Sequence, residues 1–117
     1  MALDDFMVPE SATLLDAVEV IDNNHSRCAM VMSGEKVVGI ISEGDIMRAL
    51  LRGADIHAPL AEYANPSFKF LERRDHAKAL ELFRRHGISL LPVLNRELHL
   101  IDVVTLRDVL EQVERTG

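Results

Sequence analysis

Apolar positions recur along this chain in an order that is used twice. Leu14, Ala17, Val18 and Ile21 stand at i, i+3, i+4 and i+7, the spacing of one apolar stripe on a helix. Ser11 or Thr13 can cap that helix, and Asn23-Asn24-His25 ends it. Cys28-Ala29-Met30-Val31-Met32 is an unbroken apolar run of strand length, Ser33-Gly34-Glu35 a tight turn, and Lys36 to Ile41 the returning arm of a hairpin. A second helix is expected from about Gly44 to Leu51, broken by Arg52-Gly53-Ala54-Asp55, and Asp5-Phe6-Met7-Val8 forms a short strand closed by Pro9.

The order then returns 62 residues later. His76, Ala79, Leu80 and Phe83 reproduce the helical spacing, Leu90-Leu91-Pro92-Val93-Leu94 the buried strand, Asn95-Arg96-Glu97 the turn, and Leu98 to Val104 the returning strand. Leu106, Val109, Leu110 and Val113 give a last amphipathic helix. Phe68-Lys69-Phe70-Leu71 alternates like the strand that should open this copy, after a linker from Ile56 to Pro66 with one helical turn. The predicted class is α+β, two βαββα units over residues 1–58 and 59–117. A unit of about 60 residues is marginal alone. The two copies should therefore pack pseudo-symmetrically and leave two equivalent clefts, natural places for a ligand.

Each copy ends its second hairpin strand in a hydroxyl followed three residues on by a carboxylate: Ser42 and Asp45, then Thr105 and Asp108, 63 residues apart because the second turn holds one more residue. Two readings of these corners stay open. A Ser or Thr with an Asp three positions later is a near relative of the capping box, which satisfies the free amides of a helix start. A carboxylate beside a hydroxyl also suits a vicinal diol, and acidic residues read ribose this way in dinucleotide-binding folds.

Composition narrows the rest. The 117 residues are 48% hydrophobic and 27% charged, as in a folded globular protein. A net charge of -6 argues against binding nucleic acid or an anionic membrane surface. No apolar run approaches the roughly 18 residues of a membrane span, and Met1-Ala2-Leu3-Asp4-Asp5 does not open like a signal peptide. The single cysteine, Cys28, excludes an internal disulfide and fits a reducing compartment, so cytoplasm is the expectation. Cys28 sits in an apolar strand and reads as a packed small hydrophobe. The five histidines are scattered without metal-ligand spacing, and no glycine-rich phosphate loop or catalytic triad order is present. The chain reads as a binding module and not an enzyme.

The two copies resemble tandem cystathionine-β-synthase (CBS) domains, the pair called a Bateman module, from about Asp5 to Val113. The second copy carries the likeness in Gly87-Ile88-Ser89, Leu91-Pro92-Val93, the hairpin and the hydroxyl-x-x-Asp corner. The first carries it in Val38-Gly39-Ile40-Ile41-Ser42 and Asp45, with Met30 where the family usually has Pro; in the second, Asp102 replaces the usual Gly. The resemblance implies an adenosyl ligand, AMP, ADP, ATP or a relative, and no other cofactor. It assigns the ribose to Ser42 and Asp45 in one cleft and to Thr105 and Asp108 in the other. The base would meet main-chain groups of Ala29 and Met30, and of Leu91 and Pro92. Arg27 and Arg107 are phosphate candidates, with Arg48 and the Arg84-Arg85-His86 cluster behind them.

The function implied is a nucleotide sensor that regulates an unknown partner domain or protein, working as a homodimer. Two alternatives accompany it. One is a ligand-free dimerisation module whose corners are only caps; the other is a regulatory domain attached to a sugar-phosphate nucleotidyltransferase, because Ser42 to Gly53 resembles CBS pairs that precede such enzymes.

Overall fold

The computed structural model describes residues 2–116, with side chains over 2–114. Contacts divide the chain into two units, Met1–Phe68 and Lys69–Gly117.

The first unit opens with a 3-10 turn, Leu3–Phe6, and strand β1, Met7–Pro9. Helix α1, Leu14–Asn24, follows, then β2, Cys28–Ser33, β3, Lys36–Ser42, and α2, Glu43–Leu51. The sheet order is β1-β2-β3. β1 runs parallel to β2 with Met7 opposite Met30, and β2 pairs antiparallel with β3 with Ala29 opposite Ile41. The central strand needs apolar residues on both faces, which is why Cys28 to Met32 shows no alternation and all five are buried. β3 covers one face only and does alternate, with Val37 and Ile41 inside, Lys36 and Val38 outside. Leu14, Ala17 and Ile21 of α1 meet Val8, Ala29, Val31, Ile41, Ile46 and Ala49 in one core.

Cap residues set the helix ends. Thr13, not Ser11, caps α1: its hydroxyl accepts the Asp16 amide at 3.3 Å while Asp16 Oδ2 accepts the Thr13 amide at 2.9 Å. Asp16 Oδ2 also accepts the Thr13 hydroxyl at 3.0 Å, and the two hydrogen bonds it accepts, from the Thr13 amide first and the hydroxyl second, hold the Asp16 carboxyl below its usual range. His25 ends the helix in the left-handed region at φ 56°, where its N–H bonds the Ile21 carbonyl. The matching position after the other long helix is Gly87, at φ 63°, which has no Cβ to resist that conformation. Beside His25, buried Asn24 ties three segments together: its Nδ2 donates to the carbonyls of Asp5 and Cys28, both at 3.2 Å, and its Oδ1 accepts the Ser26 amide at 2.7 Å.

Residues 59–66 pack on this first unit. Leu60 is fully buried in its core, the Leu60 N–H donates to the Ala12 carbonyl at 3.0 Å, and Asn65 exchanges two backbone hydrogen bonds with Ile40 at 3.0 and 2.8 Å. Gly39 permits this approach, since a Cβ there would stand 3.2 Å from the Asn65 oxygen and 3.3 Å from the Ala64 Cβ.

The second unit holds α3, His76–His86, β4, Leu90–Leu94, β5, Leu100–Thr105, and α4, Leu106–Thr116. β4 and β5 pair antiparallel with a register shift between Val93 and Leu94, and β2 and β3 shift at the matching place, between Val31 and Met32. Leu71, Ala79, Phe83, Leu91, Val93, Val104 and Val109 form the core. The strand anticipated over 68–71 shrinks to one parallel bridge from Leu71 to Val93. Pro92 supplies the reason. Its carbonyl accepts the Leu71 amide at 2.9 Å, but a proline has no N–H to extend a parallel ladder two residues upstream. Met30 stands at that position in the first unit, and there the ladder has three pairs.

Replacing Asn24 by Leu should cost about 2–3 kcal/mol, because Asp5 O, Cys28 O and Ser26 N each lose a buried partner. Chemical denaturation of Asn24→Leu beside Asn23→Leu, an exposed neighbour expected to change stability by less than about 0.5 kcal/mol, checks this.

Candidate functional site

The site is built at the turn from the hairpin into a helix, and it is built twice. In the first unit β3 ends at Ser42, which pairs across the sheet with Cys28. The next residue, Glu43, begins α2, and its N–H donates to the Arg27 carbonyl at 2.9 Å. In the second unit Thr105 pairs with Leu90, and the Leu106 N–H donates to the Ser89 carbonyl, again at 2.9 Å. A single backbone bond thus fixes each helix start against the residue before the buried strand. Arg27 reaches its position at φ 66°.

Within each turn the hydroxyl and the carboxylate clasp each other's backbone. Asp45 Oδ2 accepts the Ser42 amide at 2.9 Å and Ser42 Oγ accepts the Asp45 amide at 3.1 Å. Asp108 Oδ2 and Thr105 Oγ1 do the same at 2.9 and 3.1 Å. These are complete capping boxes, and the Thr13 and Asp16 pair shows that the chain uses the device elsewhere too. Capping engages one oxygen of each carboxylate and leaves Oδ1. Side-chain exposure is 22% at Asp45 and 32% at Asp108, so both carboxylates remain within reach of a ligand.

Cations distinguish the two corners. Asp45 Oδ1 takes a hydrogen bond from Arg48 Nη2 at 2.7 Å, one helical turn on, with the guanidinium lying across Gly44. Arg48 is 59% exposed, so a polar ligand can displace this pair at small cost, on the order of 1 kcal/mol or less. At the second corner the cation is Arg74, from the segment before α3. Its Nη1 donates to Asp102 Oδ2 and to the Val103 carbonyl, both at 3.0 Å, and its Nη2 lies 3.5 Å from Asp108 Oδ2.

Sequence reasoning did not single out Arg74. A signal was present in the unusual residue Asp102, a carboxylate near Asp108 that calls for a counter-charge.

The other candidates fall as follows. Ala29, Met30, Leu91 and Pro92 are buried in β2 and β4, with their main chains already in sheet ladders: Met30 between Met7 and Ile40, Leu91 opposite Val104, Pro92 opposite Val103. Arg27 lies 3.5 Å from Glu43, an exposed pair of little strength. Arg107 is exposed on α4, and Arg85 is paired with Glu81 on α3 at 2.9 Å. Cys28 is buried. Among the described residues no group of three or more His, Cys, Asp or Glu could hold a metal ion, and no helix is long and apolar enough to cross a membrane.

Two hairpins, each closed by a hydroxyl-x-x-Asp box on the helix that follows, agree with what comparison by sequence finds: the CBS domain profile matches residues 1–52 and 75–115. This chain belongs to the CBS domain family. Among solved structures, a CBS domain protein from Pyrobaculum aerophilum complexed with AMP is similar at 26% identity and a TM-score of 0.76, over 93% of this chain and 90% of that one. A CBS domain pair/ACT domain protein from Thermotoga maritima is similar at 25% identity and a TM-score of 0.78, over 98% and 93%. An uncharacterised protein of Helicobacter pylori is 28% identical over 108 residues, covering 90% of this chain and 33% of that protein. The CBS pair thus spans about a third of that relative's length.

If the hydroxyls act as caps, Ser42→Ala and Thr105→Ala should each lower stability by about 1 kcal/mol. Thermal denaturation against Ser11→Ala, whose hydroxyl caps no helix, measures the difference; the Ser11 variant should melt with the parent.

Proposed function

We propose that this CBS pair is a regulatory, non-catalytic module that binds an adenosyl nucleotide at its two hydroxyl-x-x-Asp corners and passes occupancy to a partner domain or protein. The observation that carries the reading is the duplicated corner itself, placed identically against the buried strand in both units, in a family with an AMP-bound relative at 26% identity. The ribose diol donates to Oδ1 of Asp45, displacing Arg48, or to Oδ1 of Asp108, while Oδ2 keeps the cap and holds the carboxylate still. Capping and diol binding are therefore compatible uses of one side chain.

Main-chain groups of Ala29 and Leu91 receive the base in this reading, beside Met30, which is paired on both sides, and Pro92, whose carbonyl already accepts the Leu71 amide. Arg27 and Arg107 approach the phosphates, with Arg48 free to turn from Asp45 towards them once the diol takes its place. Regulation needs only that the ligand favour one arrangement of the protein over another, with a coupling of about 1–3 kcal/mol. The cytoplasm, where adenine nucleotides abound, suits such a sensor.

AMP at about a hundred times its dissociation constant should add roughly 2.7 kcal/mol and raise the melting temperature by several degrees. The rise should shrink in Asp45→Ala and in Asp108→Ala and vanish in the double variant. An undiminished rise in the double variant, by the same thermal scan, counts against the corners.

A dimer has its own support. α2 exposes Met47 at 62% and Leu51 at 81%, and α4 exposes Leu110 and Val113 at more than half. Apolar faces of this kind on amphipathic helices fit pairing with a second copy. Sedimentation should show a dimer for the parent chain and a monomer for Leu51→Glu.

A further inference from the structure

The two corners meet the same backbone carbonyl problem with different chemistry. In the first unit the Ile40 carbonyl, next to Gly39, accepts the Asn65 N–H at 2.8 Å. In the second unit Val103 stands at the matching position, next to Asp102, and its carbonyl accepts the Arg74 guanidinium at 3.0 Å. A side chain has replaced a backbone amide. The replacement brings a full positive charge to the corner, between two carboxylates, Asp102 at 3.0 Å and Asp108 at 3.5 Å. Without Arg74 the corner would present two uncompensated negative charges. With it, the local sum falls to one.

We propose that Arg74 is a specificity-determining residue, which lets the second corner accept a phosphate-bearing ribose ligand beside two carboxylates. This rests on reading Thr105 and Asp108 as a ribose site. A guanidinium has five N–H donors. Nη1 gives its two to Asp102 and the Val103 carbonyl, and Nη2 lies 3.5 Å from Asp108 Oδ2, which leaves Nε and Nη2 to donate to an anionic oxygen. Asp102 and the carbonyl hold the group in place from β5, so little ordering remains when a ligand arrives. At 43% side-chain exposure Arg74 is reachable from solvent. Asp102 acts as its positioning residue through the 3.0 Å hydrogen bond, which an asparagine Oδ1 can keep while removing the negative charge, and it need not touch the ligand. The first corner has no such demand, because Gly39 carries no charge and Arg48 already faces Asp45 as counter-ion.

The test is calorimetric titration of AMP and of adenosine into the Asp45→Ala chain, in which remaining affinity reports the second corner. Arg74→Ala should weaken AMP by about tenfold or more, the worth of a charge-assisted contact, and adenosine by less than about threefold. Arg74→Lys should recover part of the AMP affinity. Asp102→Asn should tighten AMP severalfold and leave adenosine unchanged. The AMP preference should fade as salt is raised. Equal losses for AMP and adenosine in Arg74→Ala, with no effect of Asp102→Asn, would mean a structural part only and would overturn the proposal. So would the absence of any binding in the Asp45→Ala chain. Asp108→Ala in the same chain separates the two levels: binding that survives it refutes the ribose reading itself, whereas binding lost there but indifferent to Arg74 refutes only the role given to Arg74.

Discussion

One backbone hydrogen bond in each unit, from the first helical amide to the carbonyl before the buried strand, sets the geometry on which the corners depend. Glu43 to Arg27 and Leu106 to Ser89 have the same length and the same place in the repeat. Each draws the helix start over the strand's beginning, and the hydroxyl and carboxylate then have little freedom: their distance and direction are set by the cap, and the cap by that bond. A polar side chain on a loop would not be held so closely. Rigidity comes from the same contacts that satisfy the helix amides, so the ribose recognition we propose needs no scaffold of its own.

A carboxylate in a capping box is often counted as purely structural. The geometry here argues for a division of labour within one side chain. Oδ2 faces the backbone in both units; Oδ1 holds a displaceable surface arginine in the first. The same group can anchor and recognise because its two oxygens face different neighbours.

Much of this was legible in the chain. The i, i+3, i+4, i+7 stripes of α1 and α3 and the apolar runs of β2 and β4 placed the elements within a residue or two, because a helix buried on one side shows the helical period and a strand buried on both faces shows an unbroken apolar run. Where the chain misled, the reason was tertiary. Phe68 to Leu71 alternates like a strand, yet strand formation needs a partner able to donate, and Pro92 cannot. Residues 56–66 read as a linker, but the chain does not show that 59–66 dock on the first unit, where Gly39 opens a berth for them on β3. Arg74 lay outside any motif, and only the fold brings it to residues 28 and 34 positions away. Left-handed His25 and Arg27 were equally silent, since nothing in their side chains announces a positive φ.

The exchange of Gly39 for Asp102 at matching places has an evolutionary corollary. After a duplication, an aspartate arriving at position 102 before a cation stood at 74 would have set two carboxylates side by side with nothing between them. An arginine arriving first would have found the Val103 carbonyl and Asp108 already waiting. The easier route therefore runs through Arg74, and the two positions should change together across descendants of this chain.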